Sequence, residues 1–125
     1  MGNKIVNSAN APAALGPYSH SVLAGNTLYI SGQLGLDPIS GELKKTVEEQ
    51  ARMALINLGE ILKASEMDYR NITKTTVFLK NMSDFGAINA IYAEYFPEDP
   101  PARSCVAVAE LPKGGLFEIE AIAVR

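Results

Sequence analysis

Arg103, Glu118 and Glu120 stand inside runs that are otherwise apolar, P-A-R-S-C-V-A-V-A and G-L-F-E-I-E-A-I-A-V. A charge within an apolar strand costs free energy unless it is paired, exposed or in use, so chemistry is sought at these positions first. Arg103 offers a planar fork of donors that fits a carboxylate through two parallel hydrogen bonds, a geometry lysine cannot supply. The competing role is an ion pair with a glutamate across a subunit contact. Glu118 and Glu120 are two apart on a strand and so project from one face, together with Ile122 and Val124. Apolar neighbours and mutual repulsion should raise the pKa of at least one of the two. A carboxyl poised nearer neutrality can both hold and take a proton. Cys105 lies two residues from Arg103, on the same strand face. A nucleophilic thiol needs a base, and the single histidine, His20, is distant in sequence, so Cys105 reads as a pocket-lining residue.

These side chains need elements to hold them. Residues 9–19, A-N-A-P-A-A-L-G-P-Y-S, combine prolines, a glycine and small residues and form an ordered loop ending at Tyr18, whose plainest role is to pack that loop onto the core. S-H-S-V-L-A and T-L-Y-I-S-G-Q-L read as two strands joined by a Gly-Asn hairpin turn. In the second strand Leu28 and Ile30 face one way and Tyr29, Ser31 and Gln33 the other, with Gly32 marking a bulge in the bland reading. Asp37 to Glu42 is a turn. Thr46 and Glu49 have capping-box spacing, and Ala51, Ala54, Leu55, Leu58, Ile61 and Leu62 form the apolar stripe of a helix that lies on the sheet. Residues 72–80 form a central strand. Ser83 caps a second helix that runs to about residue 96, where Pro97 stops it. Its apolar stripe is Phe85, Ile88, Tyr92 and Phe96, and Asn89 shares that face. A buried amide needs partners, here either a ligand or a neighbouring loop.

Taken together, A-P-A-A-L-G-P-Y-S, L-Y-I-S-G-Q-L, K-T-T-V-F-L-K, D-F-x-x-I-N-x-I-Y, P-A-R-S-C-V-x-V-A-x-L-P-K-G and E-I-E-A-I-A-V span nearly the whole chain. In that order they resemble the RidA family (reactive intermediate deaminase A, also called YjgF). The resemblance implies an α+β, chorismate-mutase-like single domain over residues 1–125: a twisted, mostly antiparallel sheet in the order ββαβαββ, two helices on one face, and a homotrimer with sites at subunit interfaces. It implies hydrolysis of reactive 2-imino and enamine acids to 2-oxo acids and ammonia, without metal or other cofactor. Glu118, fifteen residues after Arg103, becomes the acid/base and Glu120 a supporting group. Tyr18, Ser31, Gly32, Asn89, Arg103 and Cys105 become substrate-binding residues, Cys105 through its backbone carbonyl. The chain departs from the family's usual form at His20, where glutamine often stands, at Gly35 and at Pro100. These departures bear on substrate preference more than on chemistry.

The composition agrees with this frame. The chain has 125 residues, 47% of them hydrophobic and 20% charged, which fits one domain with a substantial core. One cysteine excludes a disulfide framework within the chain and points to a reducing, cytoplasmic setting. The net charge of −3, from 14 acidic and 11 basic residues, with no basic run, argues against nucleic acid as a primary partner. It weighs against the endoribonuclease or translation-inhibitor roles attached to relatives. No stretch is apolar for long enough to span a membrane. A second reading, from another class, is a non-catalytic trimer that binds 2-oxo acids and acts through regulatory partners. It needs Arg103 but not Glu118.

One geometric expectation follows from the last two strands. If L-P-K-G-G closes a tight hairpin, Glu118 lies about six residues, or roughly 20 Å, along the strand from Arg103. One chain could not then join them at a small substrate. Either the strands are not neighbours or the site is assembled between subunits.

Overall fold

In the computed structural model, which describes residues 2–125, the local signals resolve into six strands and two α-helices. β1 (Lys4–Val6), β2 (Ser21–Ala24) and β3 (Thr27–Leu34) form an antiparallel meander, with β2 and β3 joined by the two-residue turn Gly25-Asn26. α1 (Val47–Ala64) follows, then β4 (Ile72–Leu79), α2 (Phe85–Tyr95), β5 (Ala102–Ala107) and β6 (Phe117–Val124). The sheet order is β1-β2-β3-β6-β4-β5.

Both helices cover one face of the sheet. α1 begins where the capping box places it: the Thr46 side chain accepts the Glu49 N–H, and the Glu49 carboxylate accepts the Thr46 N–H. Ala51, Ala54, Leu55, Leu58, Ile61 and Leu62 are wholly buried against Leu28, Val77, Phe117 and Ile119. Each large aliphatic or aromatic side chain so buried stabilises the fold by about 1.5–3 kcal/mol. A second, smaller cluster of Leu34, Leu36 and Leu111, with Phe78 and Val108 against it, lies apart from the main core. No helix is long and apolar enough to cross a membrane among the described residues.

The α+β class, the two helices on one face and the mostly antiparallel sheet are as expected, and four details differ. β1 is a strand the sequence did not announce, because three residues carry too little pattern. Ser83 does not cap α2: a 3-10 turn, Met82–Asp84, precedes the helix, and Asp84 stands at its N-cap without a side-chain bond. Gln33 does not share a face with Tyr29 and Ser31. The β3–β6 register passes from Ile30↔Ala121 to Gln33↔Ile119, so one extra residue sits at Ser31-Gly32 and turns Gln33 to the helix side, where it is buried. Finally, L-P-K-G-G closes no hairpin. β4, α2 and β5 form a crossover unit, which makes β5 parallel to β4, and β6 enters on the other side of β4. β5 and β6 are therefore never neighbours.

Candidate active site

The edge of the sheet carries one cluster. Arg103 pairs in register with Thr75 and Cys105 with Val77, both buried under the helices, so Arg103 and Cys105 aim toward the helix side at the open edge of β5. α2 meets them there. The Arg103 guanidinium carbon lies 4.7 Å from the Tyr92 ring centroid and 5.5 Å from that of Phe85. Its Nη1 donates to Asn89 Oδ1 at 2.8 Å. Tyr92 is itself anchored, its hydroxyl 2.7 Å from Thr75 Oγ1. The guanidinium is thus held by rings and one amide, while no carboxylate lies within 4.0 Å of it among the described residues. Its remaining donors are available to an anion. Burial pushes the Cys105 thiol up and the Arg103 charge opposes that shift only in part, so the group is a thiol at neutral pH.

The bare face of the sheet carries the other. Phe117 and Ile119 point into the core, so Glu118 and Glu120 point away from the helices. Glu118 is half-buried. Burial first, and the Glu120 charge second, hold its pKa above the ordinary carboxylate value. The carboxylate folds against the bulge: a Cβ on Gly32 would lie 2.5 Å from Glu118 Oε2, so only glycine leaves room for it. Tyr18, His20, Gly32, Leu34, Pro112 and Glu118 line a cleft of about 280 Å³. The exposed Tyr18 is folded into its own loop, with its hydroxyl accepting the Leu15 N–H at 3.1 Å. Ser31 stands beside this cleft, in a shallow groove shared with Lys74, Thr76 and Glu120. Its hydroxyl donates to the Ser19 carbonyl at 2.7 Å and so secures the end of the Tyr18 loop.

One chain brings Tyr18, Gly32 and Glu118 together, with Ser31 adjacent, and separately brings Asn89, Arg103 and Cys105 together. It does not join the two sets. Across the sheet, Arg103, Thr75 and Ala121 form one row on the helix side, while Glu118 pairs with Phe78 on the opposite side. The separation expected from a hairpin is therefore replaced by a different one: two strands of lateral offset and opposite faces. Sequence reasoning missed the ring shelf under Arg103. Phe85 and Tyr92 read as core stripe, although an aromatic pair flanking a polar residue on one helix face is the signal for such a shelf. It also missed Leu34 and Pro112 as cleft walls. No group of three His, Cys, Asp or Glu side chains is placed to hold a metal ion among the described residues.

An open six-stranded sheet with both helices on one face is the architecture of small α+β domains of the YjgF type. The family model described as Endoribonuclease L-PSP matches residues 8–125, and the chain belongs to that family, which includes YjgF and RidA. It is 54% identical to the 2-iminobutanoate/2-iminopropanoate deaminase of Capra hircus over 98% of this chain and 90% of that protein. With the human protein of the same name the identity is 50% over the same shares. Among solved structures, the YjgF gene product of E. coli superposes with a TM-score of 0.94 at 46% identity, covering 98% of each chain. E. coli TdcF with bound serine has a TM-score of 0.94 at 42% identity, again over 98% of each chain.

Proposed function

We propose that the protein is an enamine/imine deaminase that converts 2-aminoacrylate, 2-iminopropanoate and 2-iminobutanoate to 2-oxo acids and ammonia, at clefts between the subunits of a homotrimer. The observation that carries this reading is the Arg103 guanidinium, fixed on two rings and an amide yet without a carboxylate partner among the described residues. A buried ion pair would have satisfied it, whereas a held and unpaired fork suits a ligand carboxylate. The deaminase names of relatives at 50–54% identity support the same chemistry.

In this reading the substrate carboxylate docks on Arg103 of one subunit and its C2–N group reaches Glu118 of the next. An enamine first takes a proton at C3, which gives the iminium. Glu118, with its raised pKa, draws a proton from water as the oxygen attacks C2. The carbinolamine nitrogen takes a proton from the same carboxyl, the C–N bond breaks with its electron pair leaving on nitrogen, and the hydroxyl proton is lost as the C2 carbonyl forms. Water supplies the oxygen, and ammonia and the 2-oxo acid leave. Gly32 and Tyr18 shape the cleft around Glu118, Ser31 secures the Tyr18 loop beside it, Asn89 orients Arg103, and the Cys105 carbonyl offers an acceptor for water or the departing amine.

The exposed apolar side chains of the bare sheet face support assembly. Ile5, Tyr29 and Val106 are 61%, 52% and 45% exposed on this face, apolar surface that assembly would remove from water. The test is ammonia release from 2-aminoacrylate generated in situ, corrected for its breakdown in water. Wild type is expected to accelerate it, and Arg103→Ala and Glu118→Gln each to lose about 100-fold or more in kcat/KM. A folded wild type that gives no acceleration overturns the reading. The serine bound to TdcF keeps a second reading in view, a trimer that binds small carboxylates without turning them over. It predicts that Arg103→Ala abolishes binding while Glu118→Gln leaves it intact.

A further inference from the structure

His20 stands in the wall of the Tyr18–Glu118 cleft, and the deaminase reading gives it no task. Only 6% of its surface is exposed. Its Nδ1 accepts the Ser8 backbone N–H at 3.1 Å, and its Nε2 lies 2.7 Å from the Pro12 carbonyl oxygen. A carbonyl only accepts and an amide N–H only donates, so Nε2 carries the proton and Nδ1 is bare. The two bonds select one neutral tautomer. The backbone of the same residue is also engaged: its N–H donates to Asn7 Oδ1 at 2.8 Å, and its carbonyl accepts the Ser31 N–H at 2.9 Å. One residue therefore ties together the segment after β1, the proline loop and the bulge of β3.

We propose that His20 is a positioning residue for the deaminase site: the neutral imidazole clamps residues 8–12 and so holds the loop that presents Tyr18 opposite Glu118, and protonation at Nδ1 releases it. An imidazolium would point an Nδ1–H at the Ser8 N–H, donor against donor, in a place with little access to water. The bond to Pro12 would survive and the bond to Ser8 would not. Ser8 and Pro12, which face the ring from the N-terminal segment, carry no charge, and neither do Asn7, Ser21 and Ser31 beside its backbone. The titratable groups that share its cleft are Tyr18 and Glu118. Glutamine can accept from Ser8 and donate to Pro12 through its amide and does not take up a proton in this pH range. His20→Gln therefore preserves the clamp and removes the release.

The proposal rests on the deaminase reading for its kinetic arm alone. The other arm follows amide exchange at Ser8 in the full chain without ligand, corrected for the intrinsic pH dependence. Ser8 protection is expected to fall by about tenfold or more as the imidazole titrates in wild type, and to stay flat in His20→Gln. In ammonia release, the acid limb of log kcat/KM should approach a slope of about 2 in wild type and about 1 in His20→Gln, which retains the Glu118 ionisation alone. His20→Ala should lose about tenfold or more at every pH, and His20→Gln should recover most of that near neutrality. Unchanged Ser8 protection through the titration, or identical acid limbs in wild type and His20→Gln, overturns the clamp. If none of the three proteins releases ammonia, the deaminase reading and the catalytic role fall together, while the exchange arm still decides whether the clamp exists.

Discussion

At Glu118 the surroundings work against the ionised form of the carboxyl. Burial and the neighbouring Glu120 raise its pKa, so the folded chain holds this proton more tightly than the unfolded chain does. Unfolding free energy must then fall as pH rises through the interval between the ordinary glutamate value and the raised one. Above that interval an ionised Glu118 destabilises the fold. Glu118→Gln removes the penalty, so its stability relative to wild type should increase between about pH 4 and about pH 7 while its deaminase activity is lost. Denaturant unfolding at the two pH values measures this. A variant that gains nothing at the higher pH would mean that the carboxylate is better solvated than its half-buried position indicates.

Among the elements, the Ser31-Gly32 bulge of β3 does most to place the cleft. It turns Gln33 into the core and Leu34 out to the small cluster with Phe78, and it leaves a gap over which the Glu118 side chain lies. Gly32→Ala would drive a methyl into that carboxylate. The expected result is a drop of about tenfold or more in kcat, with the thermal midpoint lowered by only a few degrees, because the carboxylate can swing toward solvent. Steady-state kinetics with a melting curve checks it. A variant that melts much earlier yet keeps its kcat would show that the bulge serves the sheet and not the site. These elements were legible to different degrees. α1 was fully legible, since Thr46, Glu49 and an apolar stripe of period 3.6 are local signals. The fate of Gln33 was not: a strict alternation predicts its face, and one inserted residue reverses it.

At the scale of the whole molecule, Arg103 and Glu118 occupy opposite faces of the sheet, so the proposed reaction needs a second chain. A direct consequence concerns mixed assemblies. Arg103→Ala and Glu118→Gln chains, each inactive alone, should complement when unfolded together and refolded as a mixture. In a random trimer about a quarter of the interfaces pair an intact Arg103 with an intact Glu118, so activity should return to about a quarter of wild type. No recovery in a mixture shown by light scattering to be trimeric would rule out sites shared in this way.

The chain alone determined whatever local pattern encodes. It determined the two helices, the apolar stripe of α1, the Gly25-Asn26 turn, and the set of residues whose chemistry is out of keeping with their surroundings: Arg103, Glu118 and Glu120. Periodicity and charge within an apolar run are properties of neighbours in sequence, so they can be read there. Tertiary structure decided the strand order, the bulge, the ring shelf under Arg103, the His20 bonds to Ser8 and Pro12, and the placement of Arg103 and Glu118 on opposite faces of the sheet. Each of these depends on which segments meet in space. The L-P-K-G-G segment shows why: its residues permit a tight turn, but the β4–α2–β5 crossover makes β5 parallel to β4, and β6 pairs between β3 and β4 instead. Pairing between distant strands outweighed a local turn preference, and with it went the question of which residues one chain can bring together.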